Sequence, residues 1–465
     1  MPESYDLIVV GGGPGGYVAA IRAAQLRLKT ALIEREHLGG ICLNWGCIPT
    51  KALLRASELW SLFGRAEEFG FHFDGARFDL AKIVDRSAKV AATLNRGVAH
   101  LLRKNQVRVL DGHGQLTGPG RVRVTKEGKS VGELTAPHIV LATGARPRML
   151  PGVATNDRIW TYKEAMRPPA MPKSLLIVGS GAIGIEFASF YRALGAEVTV
   201  VEIVDRVLPS EDEEISALAR KAFAKHGVKF ETGATVTALK ADTSGVTARL
   251  QKKSGGSETL SAERAILAIG IVGNTENIGL ENTGAKVEKG QIRVDPYCRT
   301  AEPGLYAIGD VVGPPWLAHK ASHEGVLCVE MIAGLESAHP LNAEAIPACT
   351  YSAPQIASVG LTEAQAKAAG RTVKVGRFPF IGNGKAIALG ESEGLVKTLF
   401  DAETGELLGA HMIGPEVTEL IQGFCIAKTL ETSEAELIAA VFAHPTLSEA
   451  MHEAALDAWG RVIHF

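Results

Sequence analysis

The sequence predicts an α/β protein with two parallel sheets, followed by a C-terminal α+β domain. The segment YDLIVVGGGPGGYVAAIRAAQLRLKTALIE aligns without a gap on KSLLIVGSGAIGIEFASFYRALGAEVTVVE, so one unit occurs twice. Each copy reads as a buried apolar strand, a glycine turn, an amphipathic helix and a second strand ending in an acid, the opening of a right-handed βαβ unit. After residue 346 the pattern changes to alternating strands such as 356–360 and 394–400, then helices from Val417 onward, which is not a third copy.

In the repeat, Gly11, Gly13 and Gly16 fall on Gly179, Gly181 and Gly184, and Glu34 falls on Glu202. Such a turn brings backbone N–H groups and a helix N-terminus against a pyrophosphate, while the acid accepts hydrogen bonds from ribose hydroxyls. A single glycine turn could serve packing alone; a duplicated, acid-terminated pair points to two Rossmann-like dinucleotide-binding domains. A carboxylate at Glu202 suits a free 2′-hydroxyl and repels a 2′-phosphate, which favours NAD over NADP. Each unit returns to a short strand ending in glycine, 138–144 in the first and 265–270 in the second. The first unit holds extra chain before its return, including the Cys42 region and a predicted helix from Leu80 to Asn105. Pro147, Pro151, Pro168, Pro169 and Pro172 punctuate a linker between the units. The expected boundaries are 1–147, 148–273, a central segment 274–345, and 346–465.

Composition narrows the function. Apolar residues at 46% and charged residues at 22% are globular values, not those of a disordered chain. A formal charge of −2 offers no basic excess for a phosphate backbone, so nucleic acid is not an expected partner. The N-terminus passes straight into Leu7-Ile8-Val9-Val10 without the layout of a signal peptide, and the longest apolar stretch, 174–191, carries Glu186 and several glycines and serines, so no membrane span is expected. Of six cysteines, at 42, 47, 298, 328, 349 and 425, only the first two are close together. That is no secreted disulfide framework; a cytoplasmic location follows, with the other four expected as buried small hydrophobes.

Cys42 and Cys47 lie in GGICLNWGCIPTKALL. In a regular helix residues five apart have Cα atoms about 8.6 Å apart, beyond the limit of about 7 Å for a disulfide, so a bridge requires a distorted turn. Asn44 and Gly46 can supply unusual backbone angles, and Pro49 suits a first helical turn. Two packing thiols, or half a zinc site, are the other readings, although zinc needs four ligands and these two cysteines supply only half of them. Near the C-terminus HPTLSE holds His444 and Glu449, a candidate acid/base dyad in which the carboxylate orients the ring. Thr446-Leu447-Ser448-Glu449 also matches a helix capping box, which the motif alone favours.

With the two dinucleotide units, GGICLNWGCIPTK, Gly304-Leu305-Tyr306-Ala307-Ile308-Gly309-Asp310 and the terminal HPxxxE in this order, the chain resembles the flavoprotein disulfide reductases over nearly its whole length. It departs from the commonest form at Trp45, where a smaller residue is usual. The resemblance implies that the first unit, completed by segment 274–345, binds FAD through Gly11, Gly13, Gly16, Glu34, Arg35, Gly40, Cys42, Lys51, Gly114, Thr143, Gly144, Ala145, Asp310, Trp316, Leu317, Ala318 and His319. It implies NAD on Gly179, Gly181, Ala182, Ile183, Gly184, Glu186, Glu202, Val236 and Gly270, with Glu186 paired to Lys51. It further implies a Cys42–Cys47 disulfide that oxidises protein-bound dihydrolipoamide to lipoamide, with His444 and Glu449 handling the proton. Residues 346–465 would form a homodimer in which the histidine reaches the disulfide of the other subunit. The carrier would be a lipoyl domain of a 2-oxoacid dehydrogenase complex or a glycine-cleavage carrier protein, since no lipoyl domain precedes Tyr5. Glutathione-type reductases need basic residues near Glu202, and mercuric reductases add a C-terminal cysteine pair absent here; a noncatalytic flavin sensor is the reading from another class.

Overall fold

The computed structural model describes residues 2–465, which divide into two compact units. The first comprises 1–52, 81–148 and 270–341; the second comprises 53–80, 149–269 and 342–465.

In the first unit, the strands Leu7–Val10, Thr30–Glu34, Arg108–Asp111, His138–Leu141 and Leu305–Ala307 form one parallel sheet, with Leu7–Val10 at its centre. The edge strand Leu305–Ala307 comes from the central segment, which therefore completes this sheet. Leu7, Ile8, Val9 and Leu32 are fully buried because a parallel sheet is covered on both faces, and each such side chain contributes about 1.5–3 kcal/mol. One face packs on the helices Pro14–Gln25 and Ala318–Ile332, and the other on a small mixed sheet that includes Arg121–Lys126. The predicted insert helix spans Leu80–Lys104.

In the second unit, Ile159–Trp160, Arg264–Leu267, Ser174–Val178, Glu197–Val201 and Lys229–Glu231 repeat the parallel arrangement in that order. A three-stranded antiparallel meander, Ala234–Ala241, Val246–Lys252 and Ser257–Ala262, packs on it. The C-terminal part is a five-stranded antiparallel sheet over 348–414 with the helices Val417–Thr429, Glu434–Ala439 and Glu449–Asp457 behind it, the α+β pattern expected. The stretch 53–80, placed by the sequence in the first domain, clusters with this second unit. One physical reason is that Arg65 donates through Nη2 to the Gly390 carbonyl at 2.7 Å.

Candidate active site and cofactor cradles

The duplication extends to atomic detail. A Cβ on Gly16 would sit 1.9 Å from the Gly11 carbonyl oxygen, and one on Gly184 would sit 2.0 Å from that of Gly179, so both helices pack directly on their own turns. The helices Pro14–Gln25 and Ala182–Ala193 begin at Gly13 and Gly181, neither with a side-chain cap. Glu34 accepts the N–H groups of Gly12 and Glu36, both at 2.7 Å; Glu202 accepts those of Ser180 at 2.8 Å and Val204 at 3.1 Å, plus the Ser180 hydroxyl at 2.6 Å. Each cradle thus combines uncapped helix N–H groups, suited to a pyrophosphate, with a clamped carboxylate at the strand end, suited to a ribose. A Cβ at Gly13 would meet nothing closer than 3.9 Å and one at Gly181 nothing within 4 Å, so the space above both turns is open to phosphate.

Other residues of the first cradle lie in the same unit. Thr143 and Gly144 are tied to Asn274, which donates to the Thr143 carbonyl at 2.9 Å and accepts the Thr143 hydroxyl at its own carbonyl at 2.8 Å. Ala145 opens the strand Ala145–Pro147, paired with Ile271–Gly273. Gly114 packs against Val10, and Arg35 is exposed just beyond Glu34. Trp316 and Leu317 lead into the helix Ala318–Ile332, whose first turn holds Ala318 and His319. Burial pushes the Asp310 carboxyl up to about 6, with Lys320 pulling it down and Glu324 adding to the rise. The Lys320–Glu324 pair at 2.9 Å, with Glu324 accepting the Gly309 N–H at 2.7 Å, fixes this corner. Its i,i+4 spacing was visible in the sequence and went unread. These features suit FAD.

In the second cradle, Ala182, Ile183 and Gly184 form the first helical turn and Val236 is buried in the meander. Glu186, also buried, accepts the Tyr351 N–H at 3.0 Å. Gly270, expected with this set, groups with the first unit.

The redox segment is built as two helices instead of one. Gly40–Trp45 ends at Gly46, and Cys47–Gly64 begins directly after it. Cys42 and Cys47 therefore sit on either side of a break. This is the distorted turn that the five-residue spacing demands. It is made at Gly46, where a Cβ would lie 2.9 Å from the Ile41 carbonyl oxygen. Asn44 does not provide the distortion; it stays helical and clamps the turn, donating to the Leu38 carbonyl at 2.9 Å and the Gly40 carbonyl at 2.8 Å. Both cysteines are thiols here, with a hydrogen bond between their sulfurs. That bond, then burial, raises the Cys42 pKa far above the ordinary thiol range, while Lys51 pulls the other way. The two sulfurs therefore titrate as a pair. Trp45 packs edge-on against His37, with ring centroids 5.6 Å apart. Of the other cysteines, 298, 328 and 425 are buried as expected and Cys349 is half-buried.

At the C-terminus the dyad reading of HPTLSE is formed and the capping box only in half: the helix Glu449–Asp457 starts after Ser448, and the Thr446 hydroxyl donates to the Ala443 carbonyl instead of capping it. Glu449 Oε1 lies 2.8 Å from His444 Nδ1, and Glu449 Oε2 accepts the Thr446 N–H at 2.8 Å. Burial raises the Glu449 pKa, but the Thr446 N–H and His444 outweigh it and hold the carboxyl below its ordinary value. The His444 side chain is 80% exposed, its ring anchored at Nδ1.

The geometry defines a flavin- and nicotinamide-linked thiol–disulfide enzyme. Residues 5–325 match the pyridine nucleotide-disulphide oxidoreductase family and residues 346–455 match its dimerisation domain, so the chain belongs to that family. Over its full length it is 56% identical to the dihydrolipoyl dehydrogenase of Zymomonas mobilis and 54% identical to that of Rhizobium etli, each also matched over its full length. The crystal structure of LpdA from Mycobacterium tuberculosis superposes with a TM-score of 0.90 at 30% identity, covering 97% of this chain and 99% of that one. Within its family the chain falls among the FAD- and NAD-dependent dihydrolipoyl dehydrogenases, which are oxidoreductases. Among the described residues no helix is long and apolar enough to cross a membrane, and no metal-binding cluster occurs.

Proposed function

We propose that this chain oxidises dihydrolipoamide carried on a separate protein, in the cytoplasm, with Cys42 and Cys47 as the exchanging sulfurs and His444 and Glu449 as the proton-handling pair. The carrier is the lipoyl domain of a 2-oxoacid dehydrogenase complex or a glycine-cleavage carrier protein. The observation that supports this most directly is the sulfur–sulfur contact across the Gly46 break.

In the oxidised pair, a substrate thiol gives its proton to the open Nε2 of His444, and the resulting thiolate attacks Cys42 Sγ. The Cys42–Cys47 bond breaks and Cys47 leaves as thiolate. The second substrate thiol then loses its proton as its sulfur attacks the substrate sulfur bonded to Cys42; lipoamide closes, the expelled Cys42 is protonated from His444, and His444 takes up the second thiol's proton, so one substrate proton ends on Cys42 and the other on the ring. Glu449 keeps the ring oriented through its contact with Nδ1. Bound FAD supplies the two-electron link between the dithiol and NAD. Because His444 is so exposed in one chain, a second subunit is the natural body to enclose it, and we assign its action to the disulfide of the partner subunit.

A steady-state assay comparing NAD with NADP, and lipoamide with glutathione disulfide, tests the reading in wild type and Cys47→Ser. Turnover confined to NAD and lipoamide, and lost in Cys47→Ser with flavin retained, is the expected result. Turnover of glutathione disulfide with NADPH would make it a glutathione-type reductase, and binding without turnover would make it a sensor.

A further inference from the structure

We propose that the helix Leu80–Lys104 is an external brace that sets the dithiol–disulfide equilibrium of Cys42 and Cys47, with Asn95 and Ser87 as positioning residues. The inference rests on reading those cysteines as the redox pair.

The brace grips the redox segment on both sides of its break. Ahead of Cys42, Asn95 Nδ2 donates to the Leu38 carbonyl at 2.5 Å and lies 3.3 Å from Asn44 Oδ1, joining the clamp that Asn44 makes. Beyond Cys47, the buried hydroxyl of Ser87 donates to the Pro49 carbonyl at 2.8 Å. Ser87, Ala91, Asn95, Val98 and Leu102 follow the spacing of one helix face, and the apolar members are buried, so the two polar donors ride on a face already packed in place. A carbonyl inside a helix already accepts its own i+4 N–H, and Pro49 stands at the start of Cys47–Gly64; the added Ser87 bond ties that helix to the brace instead of completing it.

The short helix Gly40–Trp45 and the longer Cys47–Gly64 are joined only through Gly46, so once their sulfurs are unbonded their mutual placement depends on what holds them from outside. Holding both ends from one rigid helix keeps the thiols close, which raises their effective concentration toward each other and favours the disulfide. Releasing either grip gives the dithiol more freedom and shifts the balance toward it.

The test is equilibration with dithiothreitol and its cyclic disulfide: Cys42-SH and Cys47-SH give up two hydrogens to form the protein disulfide, and the cyclic disulfide takes them to become dithiothreitol. Acid quenching, alkylation and mass spectrometry of the 42–47 peptide read the ratio in wild type, Ser87→Ala, Asn95→Leu and Ser87→Thr, with exposed Lys89→Ala as a control. Ser87→Ala and Asn95→Leu should each move the equilibrium about three- to tenfold toward dithiol, tenfold being about 30 mV for a two-electron couple. Ser87→Thr, which keeps the hydroxyl, and Lys89→Ala should stay at the wild-type value. Wild-type ratios in both donor-deleted variants would overturn the brace. So would an equal shift in Lys89→Ala. If one variant does not fold, the other decides. A wild-type pair that never interconverts would instead overturn the redox reading itself.

Discussion

At the scale of single residues, carboxylates in this chain do two jobs at once. Glu449 spends one oxygen on a backbone N–H and the other on His444, which is why its motif carried a cap reading, the one it favoured, beside the dyad. Glu449→Gln keeps an acceptor for Thr446 but loses the charge beside the ring. We expect a fall in lipoamide kcat of about tenfold to a hundredfold, with little loss of stability, as removal of part of a general acid/base arrangement gives. Glu449 is held below its ordinary pKa, so in the wild type that charge is present at neutral pH. Glu202 is similarly clamped, by Ser180 and Val204, and in the proposed NAD site its carboxylate would repel a 2′-phosphate. Glu202→Gln should weaken the preference of kcat/KM for NAD over NADP by about tenfold, worth about 1.4 kcal/mol, measured with both nucleotides in one assay. Glu449 was legible because it lies five positions from His444, and Glu202 because the repeat sets it on Glu34. Asn95 and Ser87 were not: their acceptors are 57 and 38 positions away, and nothing in a helical pattern marks a donor as functional.

At the scale of elements, the second unit contains a charged junction that no motif announced. Lys397, on a strand of the antiparallel sheet, is 2% exposed and meets Asp212 at 2.8 Å, Glu363 at 2.8 Å and Glu214 at 3.1 Å, while Arg377 meets Glu214 at 2.9 Å. It ties the helix Glu213–Lys225, which packs in the nucleotide-binding half, to the sheet strands Leu395–Asp401 and Val373–Pro379. Burial pushes Asp212 and Glu214 up, but the bonds from Lys397 and Arg377 outweigh it and both sit below their ordinary values; Glu363 is lowered chiefly by Lys367 and then Lys397. Lys397 itself is raised, its carboxylate partners overcoming burial. The carboxylates' share of stability is thus present above their unfolded pKa values, near 4, and is lost as pH falls through the lowered folded ones. The lysine's share is complete below about pH 10 and is lost above it. Lys397→Met should cost about 3 kcal/mol at pH 7, because Asp212 is left buried without its cation. In urea titrations the gap between variant and wild type should narrow in acid, where Asp212 can protonate. A widening gap would show that packing, not charge, dominates there. The sheet and helices around this junction were legible from period and turn residues. The junction was not, because Lys397 and Asp212 are brought together only by tertiary folding.

At the scale of the whole molecule, the sequence carried the architecture because duplication is a pattern that survives without coordinates: two glycine turns, two strand-end acids and two return strands map one on the other. The break at Gly46 was legible only as a necessity of spacing, and its site became clear only with the backbone. What one chain leaves unfinished is the environment of His444, a proton acceptor anchored at one nitrogen and otherwise in solvent. In a two-fold dimer each interface residue serves twice, so the sulfurs of one protomer and the histidine of the other would make two equivalent composite sites. This arrangement has a consequence that a self-contained site does not. Let one protomer carry Cys47→Ser and the other His444→Ala, each inactive as a homodimer. In the mixed dimer, isolated by two different affinity tags, one site combines both lesions and the other combines intact sulfurs with an intact histidine. The mixed dimer should then recover about half of the wild-type lipoamide turnover per dimer, from one intact site of two. Were His444 to act within its own chain, every site would hold one lesion, and the mixed dimer would stay as inactive as its parents.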